Sequence, residues 1–260
     1  MSGPAVVECA GLGLRFGGIV ALEDVDFSVG RDEIVGVVGP NGSGKTCLIN
    51  ILSGYYMPTA GSVLLEGSDV THRRPQDLRR LGVSRIFQNL RLYGELTVLE
   101  NMELGMARDL ASSPGVARAI VSAGLTRRQT RRRADIREQA MVLLEEHGFA
   151  GLAEVKIRSL SYGQCKELEL LRAVLEPPNL LLLDEPTAGV AETQADEVKD
   201  RILVWRQRLG CSIVVVEHRL QWLFDLADRI VVLNSGRVIA HGRPAEIARN
   251  EEVRAAYVGS

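Results

Sequence analysis

Long apolar runs are missing from this chain of 260 residues. Its strongly apolar stretches, Leu180–Leu183 and Ile213–Val216, span four residues each. A membrane-spanning helix needs roughly 20. The N-terminus, Met1 to Val7, has neither the basic flank nor the apolar stretch of a signal peptide. The chain is therefore expected to stay in the cytoplasm. An excess of basic charge is missing too: 31 Lys and Arg stand against 33 Asp and Glu. That balance argues against a dedicated nucleic-acid binder, which usually carries a basic domain. Cysteine is scarce and scattered. Cys9, Cys47, Cys165 and Cys211 form no pair with zinc-ligand or redox spacing, so reduced thiols are expected. Internal repeats and long low-complexity tracts are absent. What is present is ordinary for a globular protein, with 46% apolar and 25% charged residues. The length allows one large core or two smaller ones.

Apolar and polar residues alternate through residues 5–30, as in Val25, Phe27 and Val29, with glycines breaking the pattern. Short antiparallel strands are predicted there. Ile34–Val38 is a β-branched run that ends in a glycine-rich loop. Residues 45–54 read as a helix, with Leu48, Ile49 and Leu52 at helical spacing. The segment 91–158 is helical and polar in pattern. Thr97 with Glu100, and Thr126 with Gln129, have the spacing of capping boxes. Ser112 to Gly115 reads as a loop between the two helices, and Ile136, Ala140, Leu143 and Leu144 form an apolar stripe on the second. After residue 159 strand and helix alternate again. Leu180–Leu183 and Ile213–Val216 fit strands buried on both faces of a parallel sheet. Ile230–Leu233 and Val238-Ile239 flank Asn234–Gly236 as a hairpin. The predicted architecture is an α/β core, about 1–90 and 159–260, interrupted by a helical insertion at about 91–158.

The core carries a complete phosphate-binding loop, Gly39-Pro40-Asn41-Gly42-Ser43-Gly44-Lys45-Thr46, between a strand and a helix. Glycines let backbone N–H groups converge on a phosphate, and the helix N-terminus adds partial positive charge. Lys45 supplies a cation for the β- and γ-phosphates, and Thr46 offers a hydroxyl to Mg²⁺. Asp184 and Glu185 follow the buried run Leu180–Leu183. Acids at the C-terminal end of a parallel strand face the crevice where ligands bind. Asp184 is expected to orient Mg²⁺ through its water shell, and Glu185 to polarise an attacking water.

Leu160-Ser161-Tyr162-Gly163-Gln164 ends twenty residues before Asp184. With the phosphate loop and the Asp184-Glu185 pair in this order, the chain resembles the ATPase subunit of an ABC transporter over residues 6 to 259. The resemblance implies a P-loop NTPase core of the RecA-like kind, with an antiparallel β subdomain and an inserted helical subdomain. It also implies ATP and Mg²⁺ as cofactors. Ser161 and Gln164 have capping-box spacing, so Ser161 begins a helix whose N-terminus, with Gly163, suits a γ-phosphate. In the family arrangement that phosphate is held by a second chain. Two cassettes, identical or paralogous, pair head to tail. The resemblance further places Gln88 on Mg²⁺ and the lytic water, His218 on the γ-phosphate, and Phe16 on adenine.

Tyr162 stands where the family signature has glycine. Tyrosine there, Phe87 to Tyr93, and the end Glu252 to Gly259 resemble the branched-chain amino acid importer branch. Ala191 is a departure: the family carries Asp or Asn at that place, and alanine cannot hydrogen-bond across a dimer. The implied function is ATP hydrolysis driving import of branched-chain amino acids or a related small polar solute. The chain would sit on the inner face of the membrane, docked on separate permease subunits and served by a solute-binding protein. An exporter ATPase of the lipid type is the second reading, and a soluble non-transport ABC ATPase the third. Between residues 118 and 137 there are seven Arg and one Asp. The cluster Arg127, Arg128, Arg131, Arg132 and Arg133 reads either as a solvated helix face or as a contact for anionic lipid. Aromatics are absent between the arginines, which disfavours nucleic acid.

Overall fold

The computed structural model describes residues 5–86, 92–106, 127–175, 177–190 and 192–258. The chain forms two compact units, Met1–Gln88 with Pro178–Ser260, and Asn89–Pro177.

The first unit holds two sheets. Strands β1 (Ala5–Phe16), β2 (Ile19–Gly30), β4 (Ala60–Leu65) and β5 (Ser68–Asp69) form an antiparallel sheet in the order β2-β1-β4-β5. The glycines of this region do not divide it into short strands, as their spacing suggests. β1 and β2 are 12 residues each. Their ladder absorbs the irregular residues as bulges, with register shifts on either side of Leu12 and a left-handed Gly11 (φ +58°).

The second sheet has the order β10-β9-β3-β8-β7-β6. Its members are β3 (Ile34–Val38), β6 (Val83–Ile86), β7 (Leu180–Asp184), β8 (Ser212–Val216), β9 (Arg229–Asn234) and β10 (Arg237–Gly242). Every residue of β3, β7 and β8 is buried. That is why their sequences run apolar rather than alternating. All neighbours are parallel except β9 and β10. That last pair closes through Ser235 (φ +47°) and Gly236 (φ +79°), the two-residue turn whose twist suits a hairpin.

Helix α1 (Lys45–Leu52) follows β3 through the phosphate loop. It ends with the last residue of its apolar pattern, Leu52, two residues before the helix end expected at 54. Gly54 takes φ +73°, and any Cβ there would lie 2.7 Å from the carbonyl oxygen of Arg73. The left-handed glycine turns the chain out of the helix. Helices α2 (Pro75–Arg80), α6 (Glu192–Leu209), α7 (Leu220–Leu226), α8 (Pro244–Ile247) and α9 (Glu251–Val258) complete this unit.

The second unit holds α3 (Val98–Met106), α4 (Arg127–Glu146) and α5 (Tyr162–Val174). The Thr97–Glu100 capping box is present: Glu100 N–H donates to Thr97 Oγ1 and Thr97 N–H to Glu100 Oε2. On α4, Ala140 and Leu144 are buried while Ile136 and Leu143 are half-buried. α3 packs on both α4 and α5. α5 therefore groups with the helical insertion rather than with the core. Thr126 and the Ser112–Gly115 loop fall outside the described residues. Among the described residues no helix is long and apolar enough to cross a membrane.

Candidate functional site

The phosphate loop is held in shape by what surrounds it. Gly39 passes so close to the end of β9 that a Cβ would lie 2.0 Å from the Leu233 carbonyl oxygen. Gly44 starts α1 at φ +105°, and its Cβ would meet Leu22 Cδ2 at 2.6 Å. Neither position admits a side chain. The Gly236 N–H of the β9–β10 turn donates to the Ser43 carbonyl at 3.0 Å. Ser43 is buried, and its hydroxyl has no hydrogen-bond partner among the described residues. An orphaned buried donor inside a phosphate loop fits an anion ligand, because buried polar groups are otherwise nearly always paired. Asn41, Gly42 and Thr46 are exposed, and Pro40 is half-buried.

Lys45 is buried, and its Nζ donates to the carbonyls of Gly39 at 2.8 Å and Pro40 at 2.9 Å. Burial lowers its pKa, and the charges of Glu185 and Asp184 oppose that shift. The lysine and the two acids thus share one electrostatic site.

Asp184 ends β7, and its Oδ2 accepts from Arg85 Nη2 at 2.8 Å. The other guanidinium nitrogen, Nη1, donates to Asn50 Oδ1 and Ser53 Oγ, both at 2.7 Å. A planar fork is suited to tie three elements this way. Glu185 follows with φ +50°, an uncommon backbone for a residue with a side chain. Its Oε1 meets His218 Nε2 at 2.7 Å. A carboxylate only accepts, so Nε2 carries the proton and donates. Glu217, before His218, is buried and accepts from the N–H and hydroxyl of Thr187.

Phe16 ends β1 on the surface, and Tyr56 packs against it edge-on, with ring centroids 5.3 Å apart. On the C-terminal helix α9, burial raises the Tyr257 phenol to about 12, against an opposing backbone hydrogen bond from Gly39. The end of the chain thereby touches the phosphate loop.

The structure brings together Gly39 to Thr46, Asp184, Glu185 and His218. Ser161, Gly163 and Gln164 lie in the other compact unit. There Ser161 caps α5: Gln164 N–H donates to Ser161 Oγ at 3.2 Å and Ser161 N–H to Gln164 Oε1 at 2.9 Å. Gln88 and Ala191 fall outside the described residues, and so do the side chains of Arg127 to Arg133. Sequence reasoning missed Arg85, Thr187, Glu217 and Tyr257. Arg85 did carry a signal, since a cation inside a buried strand needs a partner.

A family model described as "ABC transporter" matches residues 22–188, and one described as "Branched-chain amino acid ATP-binding cassette transporter" matches residues 237–260. The second match contains Tyr257. The chain is 35% identical to the high-affinity branched-chain amino acid transport ATP-binding protein BraF of Pseudomonas aeruginosa, with 100% of this chain and 99% of that protein aligned. It is 34% identical to the protein of the same description, LivG, of Escherichia coli, again over 100% and 99%. Among solved structures, the ADP conformation of MJ1267, an ATP-binding cassette of an ABC transporter, superposes with a TM-score of 0.85 at 30% identity. It covers 98% of this chain and 99% of that one.

Proposed function

Since the chain belongs to the ABC transporter family of ATP-binding cassettes, we propose that it hydrolyses ATP to drive an importer of branched-chain amino acids or a related small polar solute. The solute class rests on what the BraF and LivG relatives are described to serve, and on the match of residues 237–260 to that branch. The hydrolytic role rests on one observation above all. Glu185 is held at 2.7 Å from His218 in the same electrostatic site as the lysine of the phosphate loop.

In this reading the loop N–H groups, the Ser43 hydroxyl and Lys45 take the β- and γ-phosphates. Backbone donors and the partial positive charge of a helix N-terminus suit an anionic phosphate. Phe16, with Tyr56 at its edge, offers a face to adenine. Glu185 accepts a proton from the attacking water as general base. His218 Nε2–H, now on Glu185, lies within reach of an oxygen bound beside that carboxylate and can donate to the γ-phosphate. Gln88 orients the water.

A magnesium ion suits the donors present. Such an ion takes one or two carboxylates and completes its shell with phosphate oxygens and water. Asp184 offers one carboxylate, hydrogen-bonded to described residues through Oδ2 alone, and Thr46 offers an exposed hydroxyl. Among the described residues no three His, Cys, Asp or Glu converge into a cage of their own. When bound the ion would neutralise charge on the β- and γ-oxygens.

Ser161, Gly163 and Gln164 act on the phosphate held by a second cassette, so two chains close head to tail around two nucleotides. Permease subunits would hold the pair on the inner face of the membrane. Glu185→Gln tests the catalytic assignment. ATP binding should survive and an ATP-dependent dimer should accumulate, while turnover falls by about 10²-fold or more. Hydrolysis near the wild-type rate would overturn Glu185 as the base. Permease chains recovered with this one from membranes would support a transport role, and recovery with ribosomes would point to the soluble reading.

A further inference from the structure

Glu217 stands between the wholly buried strand β8 and His218, and it is itself buried at 3% exposure. Its Oε1 accepts from Thr187 N–H at 2.9 Å and from Thr187 Oγ1–H at 2.5 Å. Its Oε2 accepts from His218 N–H at 3.0 Å and, at the long limit, from Arg219 N–H at 3.5 Å. Among the described residues it has no ion pair. Every one of these contacts is an N–H or O–H donated to the carboxylate, so donors from two segments hold it in place.

The two segments this carboxylate joins are those that matter. Thr187 comes two residues after Glu185. His218 comes directly after Glu217, and its ring meets Glu185 at 2.7 Å. The connection closes a ring: Glu185 to Thr187 along one segment, Thr187 to Glu217 by two hydrogen bonds, Glu217 to His218 along the other, and His218 back to Glu185. Two loops that leave neighbouring strands are thereby fixed against each other at two points. One point faces the nucleotide site and the other is buried behind it.

We propose that Glu217 is a positioning residue for hydrolysis, which holds the Glu185-bearing and His218-bearing loops in one register. It is buried behind the site and acts through Thr187 and the His218 backbone. The inference rests on the reading of Glu185 as general base. A base displaced by about 1 Å can lose on the order of 10²-fold in rate while ground-state binding is kept. The signature of this role is a loss in kcat without a matching loss in ATP affinity.

The experiment compares ATP turnover, ATP affinity and thermal stability of the full chain carrying Glu217→Gln, Thr187→Val, Thr187→Ser, the Glu217→Gln/Thr187→Val pair, or Glu185→Gln. The glutamine keeps the shape but turns one acceptor into a donor that faces donors. Expected is a fall in kcat of about 10-fold or more with KM for ATP changed by less than about threefold. Thr187→Val should fall likewise, and Thr187→Ser, which restores the hydroxyl, should recover most of that loss. The double variant should be no worse than the poorer single one, because both cut the same link. A folded Glu217→Gln protein with wild-type kcat, or a kcat loss that only tracks weakened ATP binding, overturns the proposal. If Glu217→Gln does not fold, the Thr187 pair decides: equal turnover of the valine and serine variants overturns it. An inactive Glu185→Gln beside unaffected Glu217 and Thr187 variants defeats the positioning role alone. An active Glu185→Gln defeats the base reading itself.

Discussion

Arg85 Nη2 donates to Asp184 Oδ2 at 2.8 Å across neighbouring strands, and the two side chains are only 7% and 8% exposed. β6 and β7 run parallel and in register, with Arg85 opposite Leu182, so the guanidinium reaches along the sheet to the end of β7. It also binds Asn50 and Ser53 of the α1 region and lies 5.5 Å from the centre of the Tyr55 ring. The acid expected to face Mg²⁺ is thus fixed from behind by a residue far from the nucleotide loop in sequence.

Arg85→Met should therefore destabilise the fold by about 3–5 kcal/mol, because it strands the Asp184 charge in a buried setting. Arg85→Lys should fall in between. It keeps the charge but cannot present a planar fork to Asp184, Asn50 and Ser53 together. Denaturant unfolding of the three proteins at neutral pH measures the order. A methionine variant as stable as the wild type would show that this ion pair adds nothing.

A second fork, half-buried, gives a pH dependence. Arg229 Nε and Nη2 donate to Glu33 Oε1 and Oε2 at 2.7 and 3.1 Å, and Gly30 N–H donates to Oε2 at 2.6 Å. Burial pushes the Glu33 carboxyl up, but these hydrogen bonds and the charges of Arg229 and Arg206 outweigh it, and its pKa falls below the ordinary 4.5. The unfolded chain then takes up the proton first. The stabilisation is complete above pH 4.5 and is lost as pH drops from there through the lower folded value. Glu33→Gln should cost about 1–3 kcal/mol at pH 7, and the gap to the wild type should narrow steadily below pH 4.5. Melting curves of both proteins across that range test the sign. A gap that widens in acid would refute it.

The parts legible in the sequence are those fixed by short spacing. β3, β7 and β8 are buried on both faces, and their unbroken Val, Ile and Leu runs say so. The two capping boxes at Thr97 and Ser161 and the Asn234–Gly236 turn each make their bonds within a few residues. The phosphate loop announces itself by its local glycine spacing, although distant segments hold its shape. What stayed hidden depends on partners brought together by the sheet. Arg85 is 99 residues from Asp184, and Thr187 is 30 from Glu217. No local pattern carries such a pairing. The antiparallel strands expected over residues 5–30 are present, and only their length was misjudged, for a different reason. Glycine marks a turn and a bulge alike, and here Gly11 sits in a bulge inside a long ladder.

Lys45 should be the residue that most affects ATP affinity. It is the buried cation of the phosphate loop, and a hydrogen bond from a charged group contributes about 1.5–3 kcal/mol. Lys45→Ala should weaken ATP binding by roughly 10- to 100-fold, read by calorimetry. Unchanged affinity would place the nucleotide elsewhere.

Ser161 distinguishes a structural cap from a residue that serves a second chain. Its hydroxyl accepts the Gln164 N–H, and losing such a cap costs about 0.5–2 kcal/mol of stability. If capping were its whole role, folded Ser161→Ala protein would hydrolyse ATP normally. If it also meets the γ-phosphate of a partner cassette, turnover should fall by about 10-fold or more, since removing one donor to transition-state charge has effects of at least that size. Mixing resolves which chain it serves. Lys45→Ala and Ser161→Ala proteins each lack both composite sites as homodimers. A mixed head-to-tail dimer keeps one complete site, formed by the loop of one chain and the Ser161 helix of the other. Activity should therefore reappear on mixing two poorly active proteins. If Ser161 served its own chain's phosphate, each chain of the mixed dimer would remain broken and no activity would return.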